Sequence, residues 1–120
     1  MTAAAHRDPA CLFCRIIAGE LPAVVVHDTP RTLAFRDLAP LAPEHVLVVP
    51  KSHFATAAVL AETDPGYLGE VMATATEVAA LCGLAGDGYR LVVNTGRDGG
   101  QTVEHLHVHV LGGRRLGLLG

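Results

Sequence analysis

Residues 105–111 read His105-Leu106-His107-Val108-His109-Val110-Leu111, three histidines alternating with apolar residues. In an extended strand successive side chains point to opposite faces, so residues two apart share one. The spacing predicts a strand with His105, His107 and His109 on one face and Leu106, Val108 and Val110 buried on the other. Histidines scattered over a surface would not fall at period two inside an apolar run. Two chemistries fit the row. In one the rings form a metal cage, since neutral imidazole ligates zinc, copper, nickel and iron. In the other a single ring is nucleophile or general base, and its neighbours fix its tautomer and stabilise charge on the group attacked. Alternate residues of a strand lie nearly ~7 Å apart, so the outer pair is too widely spaced for all three to reach one ion without strong bending. A central ring with two helpers suits the spacing better.

The neighbouring sequence extends this strand into a sheet. YRLVVNT (89–95) alternates as well, and the glycine-rich TGRDGGQT (95–102) lies between the two, predicting a hairpin. Taken alone such a loop is usually only a turn, but its backbone N–H groups can also cradle an anion. Upstream, Asp64 suits an N-cap, Pro65 a first helical position and Gly83 a left-handed C-terminal stop. Between them Leu68, Val71, Met72, Ala75, Ala79 and Cys82 fall at helical spacing, with Glu70, Thr74 and Glu77 on the wet face. AVVVHD (23–28), TLAFRD (32–37) and HVLVVPK (45–51) read as strands, broken by Thr29-Pro30 and by a loop holding Pro40 and Pro43. LFCRIIAGELP (12–22) predicts a short helix with Leu12, Ile16 and Ile17 on one face and Gly19 as its stop. Residues 1–10 carry no periodicity and are expected to form a flexible arm, with one domain over 11–120. Helix, three strands, helix, two strands is an α+β order: a five-stranded antiparallel sheet covered by one short and one long helix.

Composition narrows the function. With 120 residues, half hydrophobic, 18% charged and a net charge of −3, the chain can build one core but offers no basic face for coating nucleic acid. No apolar run reaches a membrane span, and no basic-then-apolar leader opens the sequence, so a cytoplasmic location with no membrane partner is expected. Three cysteines are too few for a disulfide scaffold, which fits a reducing compartment.

The run GGQTVEHLHVHVLGG (99–113) resembles the signature of the histidine triad (HIT) superfamily. FCRIIAGELPA, LAFRDLAPLAPEHVLVVPKSH, GYRLVVNTGRDGGQT and the tail GGRRLGLLG are similar to the HinT branch, the nucleoside phosphoramidate hydrolases. The Ap4A-hydrolase and nucleotidylyltransferase branches look less similar. The resemblance implies a homodimer paired through the long helix and a strand, with a purine nucleotide site on each subunit and no cofactor needed for the chemistry. It implies that His107 attacks the α-phosphorus of a nucleoside 5′-phosphoramidate, the amine departs, and water hydrolyses the nucleotidyl-histidine. His109 would hydrogen-bond a phosphate oxygen and His105 would help orient His107. Thr102 stands where the family has Ser or Thr near the leaving nitrogen, and His45 where a fourth histidine flanks the site. Asp37 matches the ribose-binding position, Leu38 lies against the base, and Asn94, Gly100 and Gln101 match phosphate and ribose contacts. Glu104 departs from the pattern, occupying a place that often holds Tyr or Phe; its side chain should point away from the triad face.

Cys11-x-x-Cys14 reads alone as half a zinc site, a redox pair, or two packed thiols. Some bacterial HIT proteins complete such a pair with a histidine after the central Pro-Lys and with the first triad histidine. His53 and His105 fill those places here, which implies a structural Cys₂His₂ zinc. Cys82 reads as core, and His6 and His27 as solvent-facing residues without a role. Two rivals to the hydrolase stay open: a nucleotide-sensing protein in which hydrolysis is incidental, and a metal-dependent hydrolase whose triad holds a catalytic ion.

Overall fold

The computed structural model describes residues 6–119; the first half of the expected arm, residues 1–5, lies outside the described residues. The elements run α1 (Leu12–Ile17), β1 (Val25–Asp28), β2 (Thr32–Arg36), β3 (Glu44–Pro50), α2 (Ala57–Thr63), α3 (Pro65–Leu81), β4 (Tyr89–Val93) and β5 (Val108–Gly112). All five strands join one antiparallel sheet in the order β1-β2-β3-β5-β4. The α+β expectation holds. The loop 94–107 between β4 and β5 carries Thr102 and the first two histidines of the triad.

The sheet is covered on both faces, which explains the unbroken apolar run of β3. Val46 and Val48 face the α2–α3 layer with Val71, Ala75, Val78, Leu106, Val108 and Val110. Leu47 and Val49 face the other way, onto Phe13, Cys14 and Phe35 under α1. A strand buried on both sides needs no polar alternation.

The long helix starts and stops where the sequence puts it. The Asp64 carboxylate accepts from the Tyr67 N–H at 3.1 Å, Pro65 opens the first turn, and Gly83 takes φ +76° beyond Cys82. Thr74 departs from expectation: it is buried, its hydroxyl bonded to that of Thr32 at 2.9 Å. A threonine can be buried on a helix when another hydroxyl satisfies it. The additional helix α2 is capped by Thr56, whose hydroxyl accepts from Val59 N–H. Ala57-Ala58-Val59-Leu60-Ala61-Glu62 are mostly good helix formers, but one buried residue, Leu60, gives no periodicity to read. In α1 the buried residues are Phe13 and Cys14, while Leu12 is 48% exposed.

The histidine run splits across two kinds of backbone. Hydrogen-bonded pairing begins only at Val108, opposite Val48 and Val93, so His109 lies in β5 while His105 and His107 precede it. The alternation of faces survives: Leu106 enters the α3 core, and both His105 and His107 pack edge-on against Phe13.

Candidate functional site

A cavity of about 420 Å³ opens between α1, the end of β2 and the triad, within the range of small-molecule sites. Its walls divide by chemistry. Leu12, Phe13 and Ile16 supply an apolar side; Asp37, Thr102, His107 and His109 supply the polar end. Leu38, 88% exposed, stands at the lip.

Backbone contacts place the ring proton of His107 and of His105. The Nδ1 of His107 lies 2.8 Å from the carbonyl oxygen of His105. A carbonyl only accepts, so Nδ1 is the protonated nitrogen and Nε2 keeps its lone pair. The Nε2 of His105 lies 2.9 Å from the carbonyl of Pro50, which puts its proton there and leaves Nδ1 bare. His105 therefore touches the nucleophile candidate through its main chain, while its ring faces elsewhere. Burial pushes the His105 ring down to about 4, partly opposed by the Pro50 bond and reinforced by His53 and His107.

His109 is 5.0 Å from His107 between ring centres. Burial, with repulsion from His107 and His45, lowers it to about 4, against a weaker pull from Asp37. His45 is buried behind it, its Nε2 2.9 Å from His109 Nδ1.

The glycine loop is held by its own side chain. The Gln101 amide accepts from Gly96 N–H through Oε1 and donates from Nε2 to the carbonyls of Ala55 and Val103. Gly99 has no room for a side chain, since a Cβ would meet the Thr95 carbonyl oxygen at 2.5 Å, and Gly100 takes φ +79°. This leaves Thr102 on the cavity wall, while Gly100 and Gln101 fall outside the lining. Asn94 follows Val93, the partner of Val108, and so comes beside the His107 end of β5, also outside the lining. Glu104 is exposed.

Sequence reasoning did not assign the cavity wall formed by Leu12, Phe13 and Ile16. The positions i and i+4 of a one-and-a-half-turn helix are read as a core face, and here that face lines the site. Phe13 stands 5.1 Å from the His107 ring, edge to face, and fixes its plane.

The cysteine pair meets His53 and His105. Cys11 Sγ lies 3.4 Å from His105 Nδ1; Cys14 Sγ lies 3.4 Å from His53 Nδ1 and 3.5 Å from His105 Nδ1; the two Nδ1 atoms are 3.2 Å apart. Tetrahedral zinc with Zn–S ~2.3 Å and Zn–N ~2.0–2.1 Å requires roughly 3.6 Å between S and N and roughly 3.3 Å between two N. The four donors fit that set. Two backbone N–H groups, of Asp8 and Cys14, donate to the sulfurs at 3.4 Å each. Burial raises the Cys14 thiol, the Asp8 N–H opposing it; a bound divalent cation reverses that logic by favouring thiolate.

A HIT domain family model matches residues 18–116. A HIT-like protein of Synechococcus elongatus is 48% identical over 105 residues, covering 88% of this chain and 91% of its own. A HIT family hydrolase from Legionella pneumophila superposes with a TM-score of 0.85 at 46% identity, over 89% of this chain and 96% of its own. A Zn-bound histidine triad family protein from Mycobacterium smegmatis superposes with a TM-score of 0.78 at 31% identity, over 88% of this chain and 76% of its own. With the triad, the apolar alternation and the five-stranded sheet all in the matched region, the chain belongs to the histidine triad (HIT) domain family.

Proposed function

We propose that the protein is a HinT-like hydrolase that cleaves the P–N bond of purine nucleoside 5′-phosphoramidates through a nucleotidyl-His107 intermediate. The observation that carries this reading is the tautomer of His107: its Nδ1 proton is engaged by the His105 carbonyl, so a bare Nε2 is the ring's free nucleophilic position in the lining of a nucleotide-sized cavity. The Legionella relative bears the name hydrolase, which supports the general class.

In the first step Nε2 of His107 attacks the α-phosphorus; a P–N(His) bond forms and the P–N bond to the amine breaks, the amine leaving with a proton. In the second, water attacks the same phosphorus, a P–O bond forms as the P–N bond to His107 breaks, a proton leaves the water, and nucleoside monophosphate is released from the regenerated His107. Each half is an easier displacement than direct hydrolysis. Asp37 would hold the ribose hydroxyls, Leu38 and the apolar wall the base, and Thr102 would face the leaving nitrogen. Asn94, Gly100 and Gln101 would contact phosphate and ribose through small adjustments of the loop. Donors aimed at the phosphate oxygens stabilise its growing charge.

Cys11, Cys14, His53 and His105 would hold zinc. With four protein ligands the ion would cross-link the N-terminal segment to the triad strand and leave no position for substrate. We read the assembly as a cytoplasmic homodimer with the domain spanning 11–120. Support for pairing is the end-of-sheet strand β4, where Tyr89 and Val93 are each 37% exposed, together with the exposed Leu81 of α3 at 59%.

Incubation with AMP-morpholidate should release AMP. His107→Gly should lose at least about a thousandfold of that turnover while still binding AMP, because glycine cannot form the covalent bond but leaves the pocket open. Turnover within tenfold of wild type in that variant removes His107 from the nucleophile role. AMP binding without any turnover in the wild type would favour the sensing protein instead.

A further inference from the structure

Two groups of ligand-type atoms border the site, one in Cys11, Cys14, His53 and His105 and one in Asp37, His45 and His109, each set within 4.8 Å. Beside the first lies another cavity, of about 330 Å³, that the reaction as written does not use. Asp8, His53 and Glu104 stand on its walls, and it shares Leu12, Thr102 and Val103 with the nucleotide-sized cavity. The two spaces therefore adjoin along those three residues. His107 and His109 line only the first space, Asp8 and Glu104 only the second. The dividing segment is tied down through its main chain, since Gln101 Nε2 donates to the Val103 carbonyl at 3.0 Å and to that of Ala55 at 2.7 Å. Glu104, which stands where the family pattern often has an aromatic residue, makes no ion pair among the described residues, and neither does Asp8. Asp8 Oδ1 accepts from Ala10 N–H at 2.9 Å, which orients that carboxylate. No Lys or Arg lies on the lining.

We propose that this second cavity receives the departing amine, and that Glu104, supported by Asp8, makes it a subsite for amines carrying a further cationic group, an ammonium or a guanidinium. The assignment rests on the phosphoramidate reading above, which puts the leaving nitrogen at Thr102. A substituent on that nitrogen runs across Thr102 into the second space and away from His107. Carboxylates there attract a cation and repel an anion, and a partly enclosed cavity screens them less than open solvent does. The amine has gone before water attacks, so the selection acts on kcat/KM, which covers binding and the first displacement only.

The test compares three AMP phosphoramidates of similar length, joined through a terminal nitrogen to diaminobutane, pentylamine or aminobutyrate, and so cationic, neutral or anionic at the far end. The cationic-to-neutral ratio in kcat/KM should be roughly three- to fivefold higher in wild type than in Glu104→Gln. Intrinsic leaving ability is the same in both proteins, so the change in the ratio isolates the side chain. Glu104→Lys should carry the shift further and bring the anionic amide above the cationic one. Salt at about 0.5 M should shrink the wild-type ratio toward that of Glu104→Gln. Glu104 is exposed, so neither substitution disturbs the core. Ratios within twofold of each other in wild type and both variants overturn the subsite, while normal turnover would leave the reaction standing. If the wild type cleaves no phosphoramidate, calorimetric titration of the intact amides decides. Tighter binding of the cationic one, lost in Glu104→Gln, keeps the subsite and rejects the reaction; equal binding rejects both.

Discussion

Two clusters flank His107 along the same run of histidines, and they differ in where their protons lie. At the His105 end, two sulfurs and two Nδ1 atoms converge, and the one ring whose proton is placed, that of His105, gives it to Pro50 on the far side. At the His109 end, every short contact pairs one donor with one acceptor, from Leu41 N–H through His45 to His109. A cation entering the first cluster would take the place of the thiol protons, whereas the closed donor–acceptor chain of the second is complete without one. Close spacing of ligand-type atoms therefore does not distinguish a metal centre from a proton-ordering chain, and the backbone partner of each ring does. His107 belongs to neither cluster, yet it takes its tautomer from the main chain of the first and its ring neighbour from the second.

The largest effect should come from breaking the first cluster. Protein purified without a histidine tag should hold about one zinc per chain. Cys14→Ser should lose it, together with several kcal/mol of stability, roughly 10 °C or more in melting temperature, because the ion joins segments more than 90 residues apart in sequence (Cys14 and His105, a separation of 91). Metal-free wild-type protein whose melting temperature ignores a chelator would reduce Cys11 and Cys14 to packed thiols. Activity that vanishes on chelation while the melting temperature holds would move the ion to the His109 end and reverse the comparison.

Asp37→Ala tests the second cluster from its open side. If Asp37 accepts ribose hydroxyls, the loss of hydrogen bonds to a charged group, ~1.5–3 kcal/mol, weakens AMP binding by roughly ten- to a hundredfold in calorimetry. Zinc content should stay unchanged. Unaltered affinity would exclude Asp37 from nucleotide contact, and a drop in metal content would mark the second cluster as a ligand set.

Much of this was legible in the sequence, for identifiable reasons. Asp64, Pro65 and Gly83 act locally, through capping and φ, so the long helix reads correctly at both ends. The two-residue period of 105–110 assigns faces correctly even where no ladder bonds form, because an extended chain alternates with or without a partner. What stayed hidden depends on contacts distant in sequence. Thr74 is buried because Thr32 lies opposite it, 42 residues away. The tautomers of His107 and His109 depend on single carbonyl and amide groups that no residue type reveals. Leu12 and Ile16 line the cavity because α1 lays its Phe13–Cys14 side on the sheet, a choice that six residues cannot announce.

The smallest effect is a pH dependence that belongs to the second cluster. His109 titrates near 4 in the folded protein and near ~6.5 in an unfolded chain. Between those values the unfolded state binds more protons, so stability rises with pH; the contribution is full above ~6.5 and is lost as pH falls toward 4. The ring is half-buried, and water screens part of the effect. The acid release of a zinc ion would add its own slope, so the informative quantity is a difference: the fall in melting temperature from pH 7 to pH 5 in wild type minus that in His109→Asn. It should be positive and at most a few degrees, since the variant has no ring to protonate. An equal fall in both proteins would mean that His109 is charged as readily in the folded state as in the unfolded one, and a charged ring, protonated on both nitrogens, could not accept from His45.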